Sequence, residues 1–80
     1  MKISLDHAKY VAAKSTKTSI LKVYQLDRIC SQLDEYQYSN MITAFEKEFN
    51  VTFSDREYDF LWKKNFESLY NLVDLKKNIL

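Results

Sequence analysis

The sequence predicts an all-α fold, a small bundle of four or five helices. Three observations carry the prediction. The 80 residues contain no glycine and no proline, whereas tight β-hairpins usually need Gly or Asn-Gly at their turns. Apolar residues recur three and four apart along most of the chain, the spacing of one helix face. The chain is 46% hydrophobic and 15% aromatic, enough apolar material for a domain of this size to build a core without a metal or a disulfide. No repeat or linker divides it, so residues 1–80 read as a single helical domain.

The elements follow in order. Ser4 is a candidate N-cap ahead of Leu5, Ala8, Val11 and Ala12, which share a helix face. The polar run from Lys14 to Ser19 breaks that pattern and supplies a new cap. Ile20, Val23, Leu26, Cys30 and Leu33 then form a second stripe, widened by Tyr24 and Ile29. Tyr38, Met41, Ile42, Phe45 and Phe49 form a third, with Ser39 and Asn40 as candidate caps. From Phe49 to Phe53 the pattern changes to alternation, which predicts an extended connector at Asn50–Phe53 with inward-pointing Val51 and Phe53. Ser54-x-x-Glu57 is a capping box that opens a helix bearing Tyr58, Leu61 and Trp62. Asn65 caps a last helix whose buried face is Phe66, Leu69, Leu72 and Val73, with Lys76 and Lys77 at the negative pole of its dipole.

The stretch FEKEFNVTFSDREYDFLWKKNFESLYNLV, from Phe45 to Val73, resembles the second half of the acyl and peptidyl carrier proteins. In that family a helix ends in an aromatic residue, an apolar-x-apolar segment follows, and an acidic cap opens a short helix before a last amphipathic one. Phe49, Val51 with Phe53, Ser54-Asp55, and Phe66 through Val73 take those places. The resemblance implies a carrier-like helical bundle. It also implies a serine at position 35, in an Asp-Ser-Leu context, to carry phosphopantetheine. This chain reads Asp34-Glu35-Tyr36, and a carboxylate cannot accept that arm. Ser31 and Ser39 each lie four residues away, a full helical turn out of place. No cofactor is therefore expected.

Other chemistries find little purchase. Phosphate-cradling loops need glycine so that the backbone can approach. Cys30 and His7 are the only residues of their kinds, too few for a structural zinc site and without a third group to orient a nucleophilic pair. Asp55, Glu57 and Asp59 alternate like part of a calcium loop but lack its turn glycine; they suit a helix start instead. Glu46 and Glu48 flank Lys47 on what reads as a solvated face. The expectation is that the chain is not an enzyme and binds no metal.

Charge is uneven. Residues 1–28 carry six Lys and Arg against Asp6 and Asp27, a net +4, and residues 29–80 carry six against nine acids, a net −3. Lys9, Lys14, Lys17 and Lys22 can meet phosphates, yet arginine, the commonest base reader, is missing before Arg28. A nucleic-acid-binding regulator is thus an alternative, below protein binding. No apolar segment of signal-peptide or membrane-span length is present, and a cytoplasmic location is expected.

The aromatic surplus points to a protein partner. Tyr24, Tyr36, Tyr38, Tyr58, Trp62 and Tyr70 exceed what one small core hides, and such residues are enriched at binding hot spots. The expected contact residues are Glu35, Tyr36, Tyr38 and Met41, with Trp62 beside them. The expected function is non-enzymatic binding of the inhibitor, immunity or antitoxin type. A divergent acyl carrier protein modified on an unexpected serine is the other alternative.

Overall fold

The computed structural model of the chain describes residues 3–18 and 28–78. Five helices are found there and no strand: α1 (Leu5–Thr16), α2 (Ile29–Gln32), α3 (Glu35–Phe49), α4 (Asp55–Trp62) and α5 (Phe66–Asn78). Ile20, Val23, Tyr24 and Leu26, and Ser19 at the end of the polar run before them, lie outside the described residues.

Ser4 starts α1 by accepting the His7 N–H at 3.2 Å. Ala8, Val11, Ala12, Ala13 and Thr16 form its buried face, and their small side chains let α1 lie close against a neighbour. Thr16 is polar and buried; its hydroxyl donates to the Ala12 carbonyl at 2.8 Å and so stays satisfied. Lys17 ends the helix in the left-handed region, with φ at 60°.

A continuous helix through the second stripe is overturned at Arg28 and Leu33. Both are extended, with φ of −140° and −112°, and confine α2 to a single turn between them. Ile29 is fully buried and its N–H donates to the Lys64 carbonyl at 2.8 Å, tying α2 to the α4–α5 connection. Cys30, expected on the apolar stripe, is only half-buried because Ile29 and Leu33 take the inward positions.

The helix α3 begins earlier than Ser39 or Asn40 allows. Asp34 is its cap: its carboxylate accepts the Gln37 N–H at 2.7 Å, and the Gln37 side chain accepts the Asp34 N–H at 3.0 Å. Ser39 and Asn40 are exposed positions inside the helix. Its buried face is the expected set, Tyr38, Met41, Ile42, Phe45 and Phe49. Asn50 closes it in the left-handed region with φ at 54°, which corrects the extended connector expected from Asn50 on. The residues beyond, 51–54, are neither helix nor strand, with Val51 and Phe53 half-buried against the core. Glu46, expected on a solvated face, is half-buried and accepts the Phe53 N–H at 2.9 Å, which holds that connector against the core.

The remaining caps form as predicted. Ser54 accepts the Glu57 N–H at 3.2 Å while the Glu57 carboxylate accepts the Ser54 N–H at 2.8 Å. Asn65 accepts the Ser68 N–H at 2.9 Å at the start of α5. The α5 core residues are Phe66, Leu69, Tyr70 and Val73, whereas Leu72 is only half-buried. All five helices close on one cluster centred on Tyr38, Phe45, Leu61, Phe66 and Leu69.

Candidate functional site

The register of α3 decides what the expected contact residues can do. Positions 38, 41, 42, 45 and 49 lie on its inner face, so Tyr36, two residues before Tyr38, points roughly 160° away. Tyr36 is 76% exposed and Glu35 beside it is exposed. Tyr38 and Met41 are 0% exposed. The expectation that these two meet a partner is therefore corrected: they are core residues. Trp62 is half-buried and its ring packs 4.9 Å from that of Tyr38, so it belongs mainly to the same cluster.

That cluster has its own polar lock. The Tyr38 hydroxyl donates to the Tyr58 carbonyl at 2.5 Å, and the two rings lie 4.6 Å apart. Burial, reinforced by the neighbouring Tyr58 and Asp59, pushes the Tyr38 phenol well above the ordinary tyrosine range. It stays protonated and donating, as a structural group should.

Position 35 lies in the first turn of α3, just inside the Asp34 cap. It presents a carboxylate and offers no hydroxyl for a phosphopantetheine arm. The Ser31 hydroxyl is turned onto the Arg28 carbonyl at 2.8 Å, and Ser39 is exposed. His7 pairs with Glu48 at 2.8 Å and stands edge-on to Phe49 at 5.3 Å, so its ring is engaged between α1 and α3. Among the described residues no three His, Cys, Asp or Glu side chains gather as a metal site would require, and no helix is long and apolar enough to cross a membrane.

Surface features that the sequence reading passed over are the exposed rings of Tyr10 (54%) and Phe60 (57%). Periodicity held the signal: Tyr10 is off the Ala8–Val11–Ala12 face and Phe60 is off the Tyr58–Leu61–Trp62 face. Tyr10 borders a groove of about 460 Å³ between α1 and α3, with Val11 and Ala44 at its floor. A more polar cleft of about 300 Å³ adjoins Tyr36 and is lined by Ser15, Lys17, Gln37 and Asn40. Phe60 borders a third, apolar hollow of about 410 Å³ with Arg56 and Leu72.

Set against protein-family models, curated proteins and solved structures, the chain matches none of them.

Proposed function

We propose that this chain is a non-catalytic protein-binding module with a carrier-protein-like helical fold, acting as an inhibitor, immunity or antitoxin-type binder. The observation that carries the reading is Tyr36, 76% exposed beside Glu35 on the first turn of a doubly capped helix. A rigid helix start presents that ring at little entropic cost, and tyrosine is favoured as an anchor because a large apolar body ends in a polar tip. The adjoining cleft gives a partner polar groups to meet around the ring. In support of the carrier-like shape, α3 opens at position 35 behind an aspartate cap, and a non-helical connector, a boxed short helix and a final amphipathic helix follow. Glu35 stands where that family carries its modified serine, so the module would bind without a prosthetic arm.

The test uses the wild-type chain and Tyr36→Ala as baits in extracts of the native host, with melting curves on both. A protein retained by the wild type and weakened roughly tenfold or more by Tyr36→Ala is expected, with the melting temperature unchanged. Equal retention by both baits would reject the assignment. Incubation with coenzyme A and a broad-specificity phosphopantetheinyl transferase should leave the mass unchanged. A stoichiometric gain at Ser31 or Ser39 would replace this reading with that of a divergent carrier protein.

A further inference from the structure

The helices α1 and α3 run antiparallel, since His7 near the start of α1 meets Glu48 near the end of α3, and Gln37 donates to the Thr16 carbonyl at the opposite end. The groove beside Tyr10 and the cleft beside Tyr36 both reach Ser15, so together they follow the seam between the two helices. Its floor is small and apolar at Val11 and Ala44, and its walls carry the exposed lysines Lys14, Lys17 and Lys47. Two carboxylates also line the seam, Asp34 in the α3 cap and Glu48 against His7, so its three lysines outnumber them by one. Lys14 lies over the Tyr10 ring at 5.8 Å. Neither Lys17 nor Lys47 meets a carboxylate at ion-pair distance among the described residues.

From this charge pattern we infer that the seam is a docking groove for an acidic amphipathic helix of a partner protein. The inference deepens the protein-binding reading and rests on it. The 12 residues of α1 span about 18 Å, room for a partner helix of similar length to lay its ridge between two antiparallel helices. Apolar residues of that helix sit on Val11 and Ala44, and its flanking carboxylates meet Lys14, Lys17 and Lys47. Its end then reaches Tyr36, which joins the anchor to the groove. A nucleic-acid strand fits less well, because the floor of the Tyr10 half is apolar, at Val11 and Ala44, and offers phosphates and sugars no polar group to meet.

The experiment titrates the isotope-labelled full chain, followed by NMR, with three probes. The first is an end-capped synthetic helix with leucines at helical spacing and glutamates on their flanks. The second replaces its glutamates with lysines, and the third is a short oligothymidylate. Saturable shifts at Val11, Lys14, Ala44 and Lys47 with the glutamate helix, and none with the lysine helix, are expected. The double variant Lys14→Glu, Lys47→Glu, both exposed positions, should weaken the glutamate helix about tenfold and admit the lysine helix. No saturable shift with the glutamate helix, shifts centred on Phe60 and Leu72, or tighter binding of the oligothymidylate would overturn the inference. A Tyr36-dependent partner still held by the double variant would overturn it too, while leaving the binding-module reading standing. Groove binding by the glutamate helix in the absence of any Tyr36-dependent partner would uphold the groove and remove Tyr36 from the site.

Discussion

Two tyrosines two residues apart divide structure from surface in this molecule. Tyr38 is 0% exposed, packs with tilted rings against Tyr58 and Trp62, and donates its hydroxyl to the Tyr58 carbonyl, while Tyr36 is 76% exposed. Truncating Tyr38 to alanine empties a large buried volume and should cost about 3–5 kcal/mol, whereas Tyr36→Ala should change stability by less than about 0.5 kcal/mol. Tyr38→Phe keeps the ring and removes the hydroxyl bond to the Tyr58 carbonyl, a loss of about 1 kcal/mol near neutral pH. That loss carries a pH signature. Because the Tyr38 phenol is raised in the folded state, its stabilising effect is fully present below the unfolded tyrosine value of about 10. Above that pH the unfolded chain holds fewer protons than the folded one, so stability falls as pH rises. Urea midpoints for wild type and Tyr38→Phe should therefore differ at pH 7 and converge above about pH 10. A gap that stays constant, or widens, would show that the hydroxyl is not the titrating link.

At the scale of the helices, the chain ends two of them without glycine. Lys17 and Asn50 both sit in the left-handed region, with φ of 60° and 54°. Asparagine tolerates that conformation, but lysine has a Cβ that clashes with its own backbone. Lys17→Gly should thus stabilise the fold by roughly 0.5–1 kcal/mol, and Asn50→Gly by no more than a few tenths. Asp34→Ala removes the α3 cap and should cost about 1 kcal/mol; chemical denaturation of the three variants checks all of these values. The caps also show how far the sequence was legible. Ser4, Ser54 and Asn65 each precede a helical stripe directly, and each caps it. Ser39 and Asn40 have the same chemistry but no orphan donor to meet, because by Tyr38 the backbone N–H already bonds back to the Asp34 carbonyl. Asp34-x-x-Gln37 obeys the same logic as Ser54-x-x-Glu57, so the start of α3 was readable from its own residues. The division of the candidate contact residues was readable in the same way: the spacing that makes Met41, Ile42, Phe45 and Phe49 a core face also includes Tyr38 and leaves Tyr36 off it. What spacing does not encode is how deep a stripe sits, which separates buried Ile29 from half-buried Cys30 and lets Leu72 surface.

Across the whole molecule, bonds between distant parts of the chain close the bundle. The Ile3 N–H donates to the Asp74 carboxylate at 2.9 Å, and the Tyr70 hydroxyl donates to the Ile3 carbonyl at 2.8 Å. Glu57 pairs with Lys76 at 2.9 Å, so α5 also secures the capping box of α4. Hydrogen bonding to the Ser54 backbone is the largest cause that holds the Glu57 carboxyl below the ordinary range, with Lys76 adding to it. That stabilisation is present at neutral pH and lost as acid protonates Glu57. The radius of gyration is 11.3 Å, against about 11.6 Å for a compact chain of this length. Domains this small usually unfold as one unit. Total stability at roughly 0.05–0.15 kcal/mol per residue amounts to about 4–12 kcal/mol. Against that total, Tyr70→Phe, which removes a hydroxyl yet keeps the buried ring, should cost about 1 kcal/mol. If the ends are part of the cooperative core, hydrogen-exchange protection of the slowest amides in α1, α3 and α5 should fall by the same factor of about five. Loss confined to the first turn of α1, with α3 unchanged, would show instead that the Ile3 tie opens as a separate local unit.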